Sequence, residues 1–391
     1  MTHPMTQPRS MRRAAVTSAA GVAAAALAVG VSSMPAQAAS PDEGGDFRIV
    51  ADGYYATARI DVASGLPVPL PVPEVSGSLT AGLIESEVNS QGIEDQPEGT
   101  YSRAFASLLT AEGLDIELDA PYTAEQIAPP EETEPATVGL DGLEVPIVGN
   151  LDAISAEAKA NWDSAMSADG GVLTSLYSGV GQLDLVKLGD LGPITDLLPV
   201  ELPLSDPLVS VGAGQLLQET GTFPTDDGSL GAYAQVSGRF GDVNVLGGAA
   251  NGGVSVGIAG SDDGETPNAF GRLEATGQPG GATFDYELPA LELQVGDQEV
   301  IDIEPGFDET FEVLGALELN VNFAEYRDDD TVLAEDGTQA AASGGGLALR
   351  LTLSAPLPLV GDVELTTAEV GLLSFPEVSV EVPEGGIQAA E

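Results

Sequence analysis

Ile154-Ser-Ala-Glu-Ala-Lys-Ala-Asn-Trp-Asp163 carries two conflicting signals. Its Ala, Glu and Lys content favours a helix. Its order does not. Ile154, Ala156, Ala158, Ala160 and Trp162 are apolar, while Ser155, Glu157, Lys159, Asn161 and Asp163 are polar. Period two therefore holds over the whole stretch, whereas a helix would set Glu157 and Asn161 beside the apolar row. The pattern predicts a strand with one buried face.

The same alternation recurs outward from this stretch. Leu347-Ala-Leu-Arg-Leu-Thr-Leu-Ser354 puts its leucines on one face, and Leu317, Leu319, Val321 and Phe323 alternate with Glu318, Asn320, Asn322 and Ala324. Ala282–Leu288, Leu291–Val295 and Val254–Ile258 follow suit. Asp169-Gly170-Gly171-Val172 and Asp227-Gly228-Ser229-Leu230 lie 58 residues apart, and the same offset aligns Asp184-Leu185 with Asp242-Val243 and Leu188-Gly189 with Leu246-Gly247. Asp263-Gly264 and Asp336-Gly337 also fall between alternating runs, the latter between Leu317–Tyr326 and Leu347–Ser354. Asp-Gly in such a setting signals a hairpin, because glycine accepts the positive φ of the turn. Strands are expected at Ile154–Asp163 and Val172–Leu185, joined by the Asp169-Gly170 turn. The fold class expected is all-β, an antiparallel two-sheet β-sandwich, as one elongated unit or two stacked ones, with helix below about a tenth of the chain.

Composition narrows the chemistry. The chain has 391 residues, 12 Lys+Arg against 62 Asp+Glu, a formal net charge of −50, no cysteine and one histidine, His3. Arg9, Arg12 and Arg13 precede the first acid, Asp42, so removal of the first 38 residues leaves 9 basic and 62 acidic residues and a charge of −53. His3 leaves with them. Ser-His-Asp and Cys-His catalysis, zinc sites built on Cys or His, haem ligation by His and disulfides are then excluded. Nucleic acid and anionic lipid are excluded as partners for want of a basic patch. With 43% hydrophobic residues the chain can build a large core or two smaller ones.

The N-terminus reads as a targeting segment. Arg9, Arg12 and Arg13 form a basic region, Ala14–Val31 is uncharged and Ala-rich, and Ala36-Gln37-Ala38 is the small-x-small pattern before a cleavage site. Residues 1–38 are expected as a signal peptide, with a mature N-terminus at Ala39. Arg12-Arg13 leaves the twin-arginine route open beside the general one. No later window is long and apolar enough for a membrane-spanning helix. Residues 39–45 then read as a polar leader, 46–205 and 206–385 as two β-rich halves, and 386–391 as a disordered tail. Three proline-rich runs punctuate the chain. Ile127–Pro135 (IAPPEETEP) is acidic and should be an exposed loop, while Leu66–Pro73 (LPVPLPVP) and Pro199–Pro207 (PVELPLSDP) suit extended edge segments.

Four features invite a functional reading. Gly253-Val-Ser255-Val-Gly257 matches G-x-S-x-G, but that elbow needs a histidine to take the serine proton, and Ser255 sits in an alternating strand. Acidic turns at Asp226-Asp227, Asp262-Asp263 and Asp328-Asp329-Asp330 with Glu335-Asp336 offer oxygen ligands for Ca²⁺. Lacking the spacing of a calcium loop, they read first as solvated turns, with Asp328, Asp329, Asp330, Glu335 and Asp336 as the calcium candidates and no other cofactor expected. Trp162 and the eight tyrosines could line a glycan platform, but Trp162 occupies the apolar phase of its strand and reads as core. Hydrolysis by two carboxylates stays available, because the separation of such a pair is set by the fold and no spacing singles one out.

"LGALELNVNFAEY" at Leu314–Tyr326 and "GGGLALRLTLSAPLPLVGDVEL" at Gly344–Leu365, with the signal peptide and Ala/Gly-rich strands, resemble actinobacterial secreted proteins of the choice-of-anchor type, the G type nearest. The resemblance implies an exported, cell-surface-associated protein. That group carries C-terminal anchors, whereas Glu381–Glu391 shows no such motif. The function expected is a non-enzymatic, strongly acidic, secreted module with a structural or interaction role toward a surface or wall component. The alternative is a glycosidase-like hydrolase using two carboxylates.

Overall fold

The computed structural model describes residues 45–62, 75–113, 122–145, 149–162, 166–187, 207–258, 269–313, 317–324, 331–344, 346–357 and 361–389. The sequence features at residues 1–38, Leu66–Pro73, Asp263-Gly264 and Asp328–Asp330 lie outside them. The chain starts one sheet, builds a second, then returns to finish the first. Sheet A opens with β1 (Arg48–Val62), β2 (Val75–Asn89), β3 (Ser102–Glu112) and β4 (Thr123–Ala128). Sheet B runs through β5 (Ala136–Val145), β6 (Gly149–Ala160), β7 (Gly171–Val180), β8 (Leu183–Lys187), β9 (Pro207–Val211), β10 (Gly214–Pro224) and β11 (Leu230–Arg239). It continues with β12 (Val243–Val245), β13 (Val254–Ile258), β14 (Ala269–Ala275), β15 (Thr283–Glu287), β16 (Leu291–Val295) and β17 (Ile301–Ile303). Sheet A closes with β18 (Asp308–Val313), β19 (Leu317–Ala324), β20 (Val332–Leu333), β21 (Gln339–Gly344), β22 (Gly346–Leu357) and β23 (Gly361–Glu381).

The two large sheets are antiparallel and pack on each other, the sandwich read from the sequence. No α-helix occurs among the described residues, and a 3₁₀ turn at Ala249–Asn251 lies in the β12–β13 connection. Sheet A has the order β18-β19-β22-β23-β1-β2-β3-β4, so the first and last strands of the described chain are central neighbours. Their register runs from Arg48↔Glu381 to Val62↔Thr366, broken by a bulge between Asp52 and Tyr54. The boundary expected between residues 205 and 206 separates β8 from β9, which pair directly through Leu183↔Val211. Within the tail expected to be disordered, Ile387 is fully buried and bridges Leu230.

β6 obeys its sequence pattern: Ile154, Ala156, Ala158 and Ala160 are buried, and Ser155, Glu157 and Lys159 are not. It ends at Ala160, and the alternation carries on to buried Trp162, whose ring stacks on Phe47 at 5.8 Å and lies 4.9 Å from Tyr101. Of the run expected as an exposed loop, Ile127 and Ala128 belong to β4 with Ala128 buried, and the exposed part after them reaches back here, Glu131 Oε1 accepting from the Trp162 backbone N–H at 2.7 Å.

Two expectations need correction. Val172–Leu185 is not one strand: β7 stops at Val180 and β8 starts at Leu183, both on one edge of β6. The Asp336-Gly337 turn joins the short pair β20–β21, not β19 and β22. The break between β7 and β8 is one of three. Gly181, Gly212 and Gly241 interrupt the segments 171–187, 207–224 and 230–245 side by side, and an ideal Cβ on Gly241 would stand 2.9 Å from the Gly212 backbone. Side chains there would hold the strands apart, so glycine permits a crease. On one side of it sheet B continues through β14 and β15, on the other through β13, β16 and β17. Tyr55 of sheet A, fully buried, donates its hydroxyl to the Gly212 carbonyl at 2.9 Å.

Polar pins complete the interface between the sheets. Gln218 Nε2 donates to the Ala51 carbonyl and to Ser86 Oγ, each at 2.7 Å, and Ser102 Oγ donates to the Leu173 carbonyl at 3.1 Å. Each satisfies a buried polar atom whose isolation would cost about 1–3 kcal/mol.

Candidate functional site

The outward face of sheet A gathers the densest charge chemistry, and register does the gathering. Ala51 is fully buried, so period two turns Asp52 outward. Asp52 pairs with Glu85 on β2 and with Glu377 on β23, which makes one carboxylate row across three adjacent strands. Side chains directly opposite in a sheet lie about 5 Å apart, too close for three free charges. Burial, then the charges of Glu85, Glu377 and Glu87, push Asp52 up to about 7, against a smaller opposite pull from Arg103.

Two arginines brace the neighbouring positions. Arg103 Nε contacts Glu125 Oε1 at 2.6 Å, its Nη1 lies 3.7 Å from Glu85 Oε2, and its guanidinium stands 4.8 Å from the Phe105 ring. Arg48 Nη2 contacts Glu87 Oε1 at 3.0 Å. Two rows along from Asp52, the sequence of side chains Gln339, Glu381, Arg48 and Asn89 crosses β21, β23, β1 and β2. These four, with Asp46 and Thr338, line an open cavity of about 500 Å³. It offers amide, carboxylate, guanidinium and hydroxyl groups, a surface suited to hydrogen-bonding a polar partner.

The residues singled out by sequence do not converge there. Glu335 and Asp336 sit in the β20–β21 turn, where Asp336 Oδ1 accepts from the Thr338 N–H at 3.1 Å and from its hydroxyl at 2.7 Å. Those hydrogen bonds hold the Asp336 carboxyl below its ordinary value. Asp227 behaves alike: Thr225 and Ser229 donate to Oδ1, Gln278 donates to Oδ2 at 2.8 Å, and the carboxyl is pulled down to about 2. Among the described residues no three His, Cys, Asp or Glu side chains are grouped to hold a metal ion. Ser255 donates to Asn244 Oδ1 at 2.8 Å and accepts from the Ala249 N–H at 3.0 Å, so its hydroxyl secures the 3₁₀ turn. Among the described residues no helix is long and apolar enough to cross a membrane.

Fold and surface together define an all-β antiparallel sandwich with a carboxylate row and a polar concavity on one outward face. No protein-family model matches the chain, and no curated protein matches it in sequence.

Proposed function

We propose that the protein is an exported, non-catalytic β-sandwich of the choice-of-anchor kind, with a structural or interaction role at or outside the cell surface. The observation that carries this reading is the setting of the chemistry. The perturbed acid, Asp52, stands in a row on the outward face of a broad sheet, its neighbours being strand partners across the ladder. A sheet face of this kind presents groups to a large partner and does not enclose a small one. The leader-like segment and the high negative charge, which favours dispersal outside the cell, support the same reading. The test is fractionation of culture into medium, wall and membrane, with N-terminal sequencing and cross-linking of the mature form. Recovery in medium or wall, beginning at Ala39 and cross-linked to a surface component, is the expected result. Retention inside the cell with Met1 intact would refute it.

One observation favours a second reading, the two-carboxylate hydrolase. Asp52, pushed up to about 7 beside Glu85, has the proton affinity of a general acid. Release of reducing sugar from soluble glycans, abolished by Asp52→Asn and by Glu85→Gln, would establish that chemistry in place of the first reading.

A further inference from the structure

The outward face of sheet B carries a different surface, centred on Tyr177. Leu176 and Ser178 are buried, so Tyr177 on β7 points away from the core. Its ring does not stand up from the sheet. An ideal Cβ on Gly179 would lie 2.3 Å from Tyr177 Oη, 2.9 Å from Cζ and 3.2 Å from Cε1. The ring thus lies along its own strand over a residue with no side chain, one face on the backbone and the other turned outward. Glu157 and Leu217 are its cross-strand neighbours on β6 and β10. Leu217 is 36% exposed, one of the few large apolar side chains so placed among the described residues. Gln215 stands opposite Gly179, with Arg239 opposite Gln215. Partial burial and then Glu157 raise the proton affinity of the Tyr177 phenol and Arg239 lowers it, so both charges reach the ring.

A flat aromatic face beside an exposed leucine, rimmed by an amide, a guanidinium and a carboxylate, matches the two sides of a pyranose ring. The C–H face packs on the aromatic ring, and the equatorial hydroxyls take the planar donors and acceptors. The surface spans adjacent strands about 4.8 Å apart, which suits an extended polymer over a single sugar. Charge selects the polymer. At −50 overall the chain repels polyanions. A polycation would be drawn to the carboxylate row of sheet A, whereas here Arg239 offsets Glu157.

We infer that the outward face of sheet B around Tyr177, Leu217, Gln215 and Arg239 is a binding platform for a neutral polysaccharide. This rests on the interaction reading above and names the partner class. The test is native gel electrophoresis of the full mature chain through dextran, glucomannan and mixed-linkage β-glucan, with polygalacturonate as the anionic comparison. Retardation by at least one neutral polymer and none by polygalacturonate is expected. Tyr177→Ala should weaken that retardation at least tenfold, and Tyr177→Phe should keep it because the ring remains. Fluorescence of the single tryptophan, Trp162, buried elsewhere, reports whether each variant is folded. Gln215→Ala, at a half-buried surface position, serves as a second variant and should weaken retardation several-fold. No retardation of the wild type by any of the three neutral polymers overturns the inference, as does a folded Tyr177→Ala protein that binds as well as wild type. If the protein reaches the surface and cross-links there yet ignores all three polymers, this inference falls and the broader reading stands. Retention inside the cell would fell the broader reading alone.

Discussion

Replacing Asp52 with asparagine keeps the side chain's shape and removes its charge from the middle of the Glu377–Asp52–Glu85 row. In the folded protein Asp52 is pushed from an ordinary 3.8 up to about 7, first by burial and then by its acidic neighbours. That rise corresponds to about 4 kcal/mol, and solvent screening of a partly exposed group reduces this to about 2 kcal/mol. The sign follows from linkage. Between pH 4 and 7 the folded state holds a proton that the unfolded chain has released, so this group's contribution is intact below about pH 4 and is lost as pH rises through about 7. Asp52→Asn should therefore be more stable than wild type by about 2 kcal/mol at pH 8.5, and the two proteins should converge at pH 4.5. Urea unfolding followed by Trp162 fluorescence across that range measures the difference directly. Glu85→Gln should give a smaller gain of the same sign, because it removes one of the charges acting on Asp52. An advantage for Asp52→Asn that is unchanged between pH 4.5 and 8.5 would refute the reasoning, since it could not come from ionisation.

Gly241→Ala would place a Cβ 2.9 Å from the Gly212 backbone and should cost about 1–3 kcal/mol in urea melts, as overpacking does. Trp162→Ala removes a buried ring stacked on Phe47 and should cost about 3–5 kcal/mol, read by thermal melting followed by circular dichroism. Salt should raise the melting temperature by screening a surface of charge −50, with Ca²⁺ and Mg²⁺ giving equal shifts at matched ionic strength. A larger Ca²⁺ shift that disappears in Asp336→Asn would show that the β20–β21 turn binds calcium.

Strands were legible where one face of the sheet is buried and the other wet. Ile154–Ala160 and Leu291–Val295 carry that asymmetry in their own order, and so the alternation overcame helical propensity at Ala156 and Ala158. The crease was not legible, because it arises from three glycines brought level by register, each unremarkable in its own segment. The return of the chain to its first sheet was not legible for a related reason: β1 and β23 share a ladder although the whole of sheet B lies between them in the chain. The carboxylate row was hidden in the same way. Asp52, Glu85 and Glu377 each occupy an ordinary polar position of an alternating strand, and only pairing reveals that they face one another. The Asp-Gly turns were found because their chemistry is local, as the positive φ of 86° at Gly228 and 75° at Gly337 attests.

The pairing of β1 with β23 also governs when the protein can fold. β1 has β2 on one edge, and its other edge stays open until Gly361–Glu381 is available. Closing that ladder joins segments separated by nearly the full length of the described chain, a contact of very high order and correspondingly slow to form. A nascent chain emerging from the ribosome can assemble the hairpins of sheet B early, but sheet A must wait for its last strand. Until then the edge of β1 remains a template for pairing with other chains, and the acidic residues Asp52 and Asp61 on β1 oppose such pairing by repulsion. Any chain delivered N-terminus first, from a ribosome or through a pore, would keep that edge of β1 unfinished until Gly361–Glu381 arrived.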